Sequence, residues 1–215
     1  MERIICLLIG YACGLFQTAY IMGKIYHTDI RKQGSGNLGS TNVMRTLGKK
    51  AGALNLLCDC LKCVAAILIV RALFEDRYAD ILPLLSLYAA AGCILGHNFP
   101  FYLNFKGGKG IAASVGMIIA FDWRIFIVCA VVFFALFFTT HYVSLCSLSA
   151  YAAAFILVLV FGHMGKYGMD QPHTVELYIV MAVLTAMAFY RHRANIGRLL
   201  HGTENKVFLS SKNKK

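Results

Sequence analysis

The sequence predicts an all-α polytopic membrane protein with about seven transmembrane helices. Of its 215 residues, 59% are hydrophobic and only 14% are charged, and the mean hydropathy is +0.64. A chain of this composition is too apolar for an ordinary water-soluble domain, so lipid must be its main solvent. Because it has only three prolines and neither a low-complexity tract nor an internal repeat, we expect a single integral membrane domain over residues 1–215.

Candidate spans are apolar runs of nearly twenty residues, because a helix rises about 1.5 Å per residue and the hydrocarbon core is about 30 Å thick. The runs are residues 4–23, 51–70, 81–96, 144–161 and 174–190. The first run starts beside Glu2 and Arg3 and has no small-residue cleavage site after it. It is therefore interpreted as a span and not as a signal peptide.

A longer apolar stretch, residues 111–140, is interrupted by Asp122, Trp123 and Arg124. This interruption is typical of a turn at the membrane interface and predicts a middle pair of short helices. Residues 111–121 cover only about 16 Å at helical rise, so the pair either crosses a thinned bilayer or forms a re-entrant hairpin. In both arrangements the chain returns to its starting side.

The number of spans decides on which side the C-terminal segment lies. With seven spans, residues 24–50, 97–110, 141–143 and 191–215 share one side and contain 15 of the 21 Lys and Arg residues. The opposite side holds five cations and seven acidic residues. The positive-inside rule then places the N-terminus outside and the C-terminus in the cytoplasm. Six spans would separate the basic first loop from the basic tail, so we reject that number.

Charged residues outside the spans indicate the kind of ligand, whereas a charged pair within a span must be accommodated inside the helix bundle. The formal net charge of +11 favours anionic lipid headgroups or phosphate-bearing ligands, and we expect no nucleic-acid partner. Within the second run, Asp59 and Lys62 are spaced so that they can meet on one helical face. Since isolated charges in hydrocarbon are costly, the pair should face the bundle interior, either as a packing ion pair or in a catalytic role.

The first polar segment combines glycines and small polar residues and ends in Arg45. Its candidate ligand-binding residues are Gly34, Ser35, Gly36, Asn37, Thr41 and Asn42. Glycine lets the backbone approach a ligand, hydroxyl and amide groups add hydrogen bonds, and the Arg45 guanidinium suits phosphate. The alternative is a solvated loop with one topology-setting cation.

The second polar segment, residues 96–110, ends in a glycine-rich turn. The turn consists of Gly107, Gly108, Lys109 and Gly110. Open backbone donors, a predicted helix start and an ammonium group together indicate an anion site, although the spacing is not that of a Walker A loop. His97 fits either a packed interfacial histidine or a base. The nearby aromatic residues fit membrane anchors or walls for an acyl chain.

The third polar segment begins at the end of the last span and continues through Glu204. His192, Asn195 and Arg198 recur every three residues, so on a continuing helix they would line one face. These side chains could then converge on a single ligand. The alternative is a juxtamembrane basic segment that binds anionic lipid.

Several reaction classes lack their signature motifs. No His is followed by Asp five residues later, and there is neither a Gly-x-Ser-x-Gly elbow nor a His-Glu-x-x-His motif. The eight cysteines lie within apolar runs, and Cys58, Cys60 and Cys63 lack zinc-finger spacing. These observations argue against a covalent Ser or Cys enzyme and against a metalloenzyme.

Taken together, the segments resemble the bacterial acyl-phosphate:glycerol-3-phosphate acyltransferase family. The resemblance rests on residues 34–42 with Arg45, on residues 96–100 with 107–110, and on residues 192–204. Their order and spacing fit over almost the whole chain, and the family's seven-span topology agrees with the charge distribution. The chain departs from the commonest family pattern at Ser40, Ala113 and Gly197.

The resemblance implies transfer of a fatty acyl group from acyl phosphate to the 1-hydroxyl of glycerol 3-phosphate, giving lysophosphatidic acid and phosphate. The implied catalytic residues are Ser35, Arg45, Lys109, His192 and Asn195. The implied substrate-binding residues are Gly34, Gly36, Asn37, Thr41, Asn42, His97, Gly107, Gly108, Gly110, Arg198 and Glu204. No cofactor or metal is implied, since acyl phosphate is a reactive mixed anhydride that needs no acyl-enzyme.

In this hypothesis Arg45 and Lys109 hold phosphates and the glycine turn cradles acyl phosphate. The groups that place glycerol 3-phosphate are Ser35, Asn42, His192 and Asn195. Either His192 or a substrate phosphate oxygen takes the hydroxyl proton, and the sequence leaves both open. Glu204 is expected to orient the tail by pairing with a nearby cation.

The expected partners are the two substrates, membrane lipid and the enzyme that forms acyl phosphate. The expected location is the bacterial cytoplasmic membrane, with the site at its cytoplasmic face. A transporter for a phosphorylated small molecule is the main alternative, but it requires polar residues along a path through the bilayer, and the spans hold few beyond Asp59 and Lys62. A non-catalytic lipid-binding scaffold is the third hypothesis.

Overall fold

The computed structural model describes residues 1–208, and every regular element within them is helical. The α-helices are α1 (Glu2–Gly14), α2 (Thr18–Ile25), α3 (Ser40–Leu47), α4 (Lys49–Tyr78), α5 (Leu82–Asn98), α6 (Ile111–Phe121), α7 (Trp123–Thr140), α8 (Val143–His163), α9 (Gln171–Arg191) and α10 (Arg193–Leu200). Single 3-10 turns lie at Ile30–Lys32, Ala79–Ile81 and Phe101–Leu103. The predicted cytoplasmic tail extends into residues 209–215, and these, with Lys212, Lys214 and Lys215, lie outside the described residues.

The predicted spans are present as long apolar helices. By length and composition, the segments of residues 1–208 that could cross a membrane are Glu2–Ile25, Lys49–Leu103, Trp123–Thr140, Val143–His163 and Gln171–Arg191. Lys49–Leu103 is a hairpin of antiparallel helices, since Lys62 on α4 contacts His97 on α5 and Arg71 contacts Ser86. α6 is apolar but has only 11 residues. The prediction of an all-α polytopic membrane protein is confirmed.

The first predicted span, residues 4–23, is present within Glu2–Ile25, but it consists of two helices. It breaks after α1, and α2 starts at Thr18. A break at membrane depth frees backbone carbonyls that need donors, because no water is available there. Lys62 Nζ donates to the carbonyl oxygens of Phe16 (2.7 Å) and Gly14 (3.4 Å). Gln17 Nε2 also donates to the Gly14 carbonyl (3.2 Å), so polar side chains stabilise the break.

Glycines bring α1 and α5 into close contact. A Cβ atom added to Gly10 would lie 1.9 Å from the carbonyl oxygen of Ala89, and one added to Gly92 would lie 2.0 Å from that of Leu7. Gly14 and Gly96, four residues further along their helices, are confined in the same way. This small-residue spacing lets membrane helices approach closely. The carbonyls at the break therefore lie beside the end of α5 and within reach of Lys62 on α4.

Asp122 forms the turn predicted within residues 111–140. It separates α6 from α7, its carboxylate accepts a hydrogen bond from the Arg124 backbone N–H (2.9 Å), and it pairs with the Arg124 guanidinium (2.6 Å). At the far end of α7, the His141 carbonyl accepts a hydrogen bond from the Val207 N–H (2.9 Å). Since the start of α6 also lies beside the tail, the hairpin leaves one face of the bundle and returns to it.

The three basic segments and the short α7–α8 connection lie on one face of the helix bundle, which we call the basic face. Leu38 of the first loop packs in one hydrophobic cluster with Leu103 of the second. The second loop contacts the tail through Lys109 and Asn195, and the tail contacts the α7–α8 connection. The opposite face gathers the N-terminus and the α8–α9 connection, where Arg3 pairs with Glu176 (2.6 Å) and Phe121 packs on Tyr167.

Single cysteines at exposed positions test this arrangement. In a cysteine-depleted background, Asn104→Cys and Asn205→Cys should react with a membrane-impermeant thiol reagent from one and the same side, together with Asn37→Cys. Lys166→Cys, which is exposed in the α8–α9 connection, is the control and should react only from the other side. We expect the shared side to be cytoplasmic. Labelling of positions 104 and 205 from different sides would contradict the fold.

Candidate active site

Lys109 lies where the second segment enters α6. Gly110 caps this helix with a φ of +80°, a left-handed conformation that glycine adopts without strain. The first helical bond runs from the Ser114 N–H to the Gly110 carbonyl (2.8 Å), so the N–H groups at positions 111–113 have no intrahelical acceptor. Lys109 Nζ donates to Asn195 Oδ1 on α10. The predicted anion site is thus in contact with the third segment.

The Gly107–Gly108 turn is closed by its own backbone. The N–H groups of Gly107 and Gly108 donate to the carbonyls of Asn98 and His97, at 3.1 Å each. Arg191 Nη2 donates to the carbonyls of Gly107 (3.2 Å) and Gly108 (2.6 Å). These two N–H groups are therefore occupied, contrary to the expectation that they cradle a ligand. The open backbone donors lie one turn later, at the start of α6.

The charges around Lys109 come from all three segments. Burial, together with nearby positive charge, lowers the pKa of Lys109 to about 8. The neighbouring cations are Arg198, Arg191 and Arg45. The negative charge of Glu204 raises the pKa of Lys109 and so opposes their effect. Arg45 is exposed and its side chain makes no hydrogen bond within residues 1–208, so its guanidinium is free to bind an anion.

His192 lies between α9 and α10 and is 3% exposed. Its Nδ1 is 2.8 Å from the Ala188 carbonyl oxygen, so Nδ1 carries the proton and Nε2 keeps a lone pair. Burial, reinforced by the charge of Lys109, lowers the pKa of His192 to about 4. At neutral pH the ring is uncharged, and Nε2 can accept a proton or a hydrogen bond.

Glu204 connects the tail to the site. Its Oε1 accepts hydrogen bonds from Asn195 Nδ2 (2.7 Å) and Ser144 Oγ (3.0 Å), and its Oε2 accepts one from Arg198 Nε (2.6 Å). Although burial alone would raise it, these bonds hold the pKa of Glu204 below its ordinary value. The carboxylate thereby orients Asn195 toward Lys109, and Arg198 is the tail cation with which it pairs.

Asn42 holds the first segment together. Its Nδ2 donates to the Gln33 carbonyl (3.0 Å), and its Oδ1 accepts from the Ser35 backbone N–H (2.9 Å). Gly34, with a φ of +56°, packs so closely that a Cβ atom would lie 2.3 Å from Asn42 Oδ1. Asn42 is 2% exposed and its amide is bonded within the loop, so its contact with substrate stays a prediction.

The other polar residues of the first segment face outward or are half-buried. Ser35 is exposed, and the half-buried residues are Gly36, Asn37 and Thr41. Within residues 1–208, no hydrogen bond joins these four residues to the second or third segment. The first segment therefore reaches the shared site through the charge of Arg45, and the roles of its neutral groups stay predictions.

Asp59 and Lys62 form the predicted buried pair, with Lys62 Nζ 2.8 Å from Asp59 Oδ1. His97 Nδ1 is 2.9 Å from the same ammonium group. Asn55 Nδ2 joins Asp59 Oδ2 to Ser40 Oγ, at 2.9 Å each. The pair thus packs α4 against the break in the first span, against α5 and against the start of α3, which favours its structural interpretation.

Sequence reasoning did not identify Arg191 and Ser144 as site residues. Arg191 is one of several cations at the end of the last span, and Ser144 opens an apolar run. Their partners lie 84 and 60 residues away in sequence, in the glycine turn and at Glu204. No local spacing marks such pairs, because only the helix packing brings them together.

Fold and site together define an integral membrane protein with a partly desolvated cation cluster at one face of its helices. A family model described as glycerol-3-phosphate acyltransferase matches residues 4–202. A glycerol-3-phosphate acyltransferase of Clostridioides difficile strain 630 is 44% identical over 206 residues, covering 95% of each chain. One of Bacillus cytotoxicus is 43% identical over 210 residues, covering 97% of this chain and 96% of that one.

Two crystal structures of PlsY (YgiH), an integral membrane glycerol 3-phosphate acyltransferase, have the same fold. The glycerol 3-phosphate form superposes with a TM-score of 0.83 and 31% identity, covering 97% of this chain and 96% of that one. The lysophosphatidic acid form gives a TM-score of 0.80. The chain belongs to the glycerol-3-phosphate acyltransferase family, as the three segments predicted.

Glu204→Gln tests the tail contact. The substitution keeps a carbonyl acceptor but removes the negative charge that faces Arg198. It should lower the free energy of unfolding by about 1 to 2 kcal/mol. The effect is no larger because Arg198 is 38% exposed, and solvent screens its charge. A carboxylate with a lowered pKa stabilises above its ordinary value of 4.5 and loses this effect as the pH falls through the folded-state pKa.

Thermal unfolding in detergent at pH 7 and pH 4 measures the effect. The melting temperature of Glu204→Gln should lie below that of the parent at pH 7, and the difference should shrink at pH 4. Asp76→Asn, which changes an exposed acid on the opposite face, is the control. Equal melting temperatures of parent and Glu204→Gln at pH 7 would rule out the contact.

Proposed function

We propose that this protein transfers a fatty acyl group from acyl phosphate to the 1-hydroxyl of glycerol 3-phosphate, releasing phosphate and forming lysophosphatidic acid. This would be the first acylation step of phospholipid synthesis. The observation that carries the proposal is the convergence of cations from three segments around Lys109, beside the neutral His192. Family membership and the two forms of PlsY, named for glycerol 3-phosphate and lysophosphatidic acid, support it.

Binding of phosphate follows from the charge balance of the site. Lys109 and three arginines face a single carboxylate, that of Glu204, so the site carries uncompensated positive charge. A phosphate group would relieve the mutual repulsion of these cations and raise the pKa of Lys109 toward its ordinary value. Arg45 and Lys109 are the proposed clamp, and the free N–H groups at the start of α6 supply neutral donors to the same anion.

Acyl transfer from bound acyl phosphate to bound glycerol 3-phosphate needs positioning more than covalent catalysis. The mixed anhydride already has a good leaving group, so the glycerol hydroxyl can attack the acyl carbonyl directly. The positive charge of Lys109 acts on the His192 ring. The lone pair on His192 Nε2 is suited to accept the proton of the glycerol hydroxyl. Since a pKa near 4 makes it a weak base, a substrate phosphate oxygen is the competing acceptor. Asn195 Oδ1 accepts a hydrogen bond from Lys109 Nζ and so helps to hold the ammonium group in place.

The proposed setting is the cytoplasmic membrane, with the basic face on the cytoplasmic side, the N-terminus outside, and residues 1–215 acting as one membrane domain. The excess of Lys and Arg on the basic face supports this orientation. Membrane lipid and an enzyme that forms acyl phosphate are the proposed partners. A transporter is not favoured, because most of the buried polar side chains of residues 1–208 gather toward the basic face and the break in the first span, whereas a transporter requires polar groups along a path through the bilayer.

The clamp predicts specific losses of activity. Lys109→Ala and Arg45→Ala each remove a charged donor that contributes about 1.5 to 3 kcal/mol, so each should lower kcat/KM by roughly ten- to a hundredfold. Arg45→Lys should recover only part, since an ammonium group cannot reproduce the guanidinium fork. Lys106→Ala, at an exposed cation of the same segment, is the matched control. A correctly inserted Lys109→Ala with parental activity would show that the clamp is wrong.

The donor and the absence of a cofactor are tested together. Purified protein treated with EDTA and a thiol-blocking reagent should still form lysophosphatidic acid from acyl phosphate and glycerol 3-phosphate. Basic side chains can neutralise phosphate in place of a metal, and all eight cysteines are free and buried or half-buried. Acyl-CoA should be a poor donor, because it has no phosphate at its reacting carbonyl. Loss of activity on chelation that a divalent metal restores, or efficient use of acyl-CoA, would contradict the proposal.

A further inference from the structure

A second group of basic side chains surrounds a cavity at the end of the first span. The cavity is open, has a volume of about 330 Å³ and lies between α2 and the turn that follows it. Its charged and aromatic lining residues are Tyr20, Lys24, His27, Asp29 and Arg31. None of them is among the groups that shift the pKa of Lys109, and none takes part in the proposed acyl transfer.

The cavity forms because the chain turns back onto α2. The Thr28 N–H donates to the Gly23 carbonyl (2.8 Å), and a Cβ atom at Gly23 would lie 2.7 Å from the Thr28 carbonyl oxygen. Tyr20 and Lys24 are four residues apart on α2, so they lie on one helical face. This face is one wall of the cavity, and the returning turn is the other.

Asp29 holds Arg31 in a fixed orientation at the cavity. Its carboxylate accepts hydrogen bonds from the Arg31 backbone N–H, from Nε and from Nη2, at 3.0 Å each. Within residues 1–208, Nη1 has no acceptor, and it stays available to an anion.

Lys24 gives the cavity a net positive charge, because the carboxylate of Asp29 already pairs with Arg31. The Lys24 ammonium is exposed and has neither a hydrogen bond nor an ion pair within residues 1–208. It lies 5.6 Å from the centre of the Tyr20 ring, and the guanidinium carbon of Arg31 lies 5.7 Å from the same centre. Both distances are within the range of a cation–π contact, so the ring helps to position the two cations.

The end of a span lies at the depth of lipid headgroups, and this one has the matching surface. The first span ends at Ile25, which is 67% exposed, and Ile21, one turn earlier, is 37% exposed. Tyr20 packs edge-on against Tyr102, and Tyr102 against Phe101, with ring centres 6.3 Å and 5.8 Å apart. Aromatic residues are typical of the membrane interface. The cavity therefore has a charged interior beside an apolar surface.

We propose that this cavity binds the headgroup of an anionic phospholipid, whose phosphate oxygens accept hydrogen bonds from Lys24 and from Arg31 Nη1. An ammonium group and a guanidinium edge both bind phosphate. Since one water occupies about 30 Å³ in the liquid, a cavity of about 330 Å³ has room for a phosphoglycerol group. A soluble phosphate ester offers the same charge but would leave Ile21 and Ile25 uncovered, so the surface favours a lipid. This inference does not rest on the proposed acyl transfer.

A bound headgroup would also restrain the first segment. Asn42 Nδ2 donates to the carbonyls of Ile30 (3.3 Å) and Gln33 (3.0 Å), one on each side of Arg31 along the chain. A lipid held by Arg31 and Lys24 therefore connects α2 to the segment that carries Arg45. Because a ligand of the folded state stabilises it, phosphatidylglycerol should raise the melting temperature of the parent more than that of Lys24→Gln.

Native mass spectrometry of the protein in detergent tests the site with phosphatidylglycerol and phosphatidylcholine of equal acyl chains. The parent should bind the first phosphatidylglycerol at least about tenfold more tightly than the first phosphatidylcholine. Lys24→Gln should weaken binding of phosphatidylglycerol about fivefold, the contribution of one cation near an anionic headgroup, whereas Lys24→Arg should keep it. Lys50→Gln, at an exposed cation at the start of α4, is the matched control and should bind like the parent.

Three comparisons decide where and what the cavity binds. Parental binding by Lys24→Gln, or an equal loss in Lys50→Gln, would overturn the site, since the second result would reflect general surface charge. Lys109→Ala should keep parental binding of phosphatidylglycerol, and a loss in this variant without one in Lys24→Gln would mean that the lipid occupies the candidate active site. Inorganic phosphate should not displace the bound lipid, and displacement at millimolar phosphate would overturn the assignment to a lipid headgroup.

Discussion

No water is available at membrane depth to form hydrogen bonds with a freed carbonyl or an ammonium group. The rest of this structure depends on how protein groups form these bonds at the break between α1 and α2. Where the first span is interrupted, Lys62 donates to the carbonyl of Phe16, to Asp59 and to His97. Lys62 supplies hydrogen-bond donors, and the Phe16 carbonyl, Asp59 and His97 supply the acceptors. Removing one partner would leave a buried charge uncompensated, at a cost of about 3 to 5 kcal/mol in comparable pairs. The break therefore anchors α4 and α5 to the first span.

The same anchoring determines where the basic face begins. Close packing of the glycines on α1 and α5 brings the end of α5 beside the break, and the carbonyls of that end, at His97 and Asn98, accept the N–H groups of the glycine turn. Lys109 follows directly and enters a region crowded with arginine. Its lowered pKa reflects both burial and this crowding. The helices thus build a site whose positive charge is balanced only in part, by Glu204, which is a suitable state for receiving phosphate.

Much of the fold could be predicted because helices that cross lipid must consist mainly of apolar residues. Apolar runs gave the spans, the Asp122 interruption gave the turn between α6 and α7, and the i,i+3 spacing gave the Asp59–Lys62 pair. The first span was predicted, but its break was not, because the Lys62 side chain that stabilises the break comes from α4. The N–H groups of Gly107 and Gly108 donate to carbonyls of the preceding helix end, a pairing that the sequence did not indicate, and the role of the turn in holding acyl phosphate stays a prediction.

The sequence by itself determined the class of protein, the three segments that carry its chemistry and the family to which they point, since hydropathy, charge and motif spacing are local properties of a chain. Tertiary structure alone decided how those segments meet. Asn195 reaches Lys109, Ser144 supports Glu204 and Arg191 holds the glycine turn because helix packing brings together residues that are far apart in sequence. The contact between Lys62 and His97 likewise joins residues that are 35 positions apart, and no local pattern encodes it.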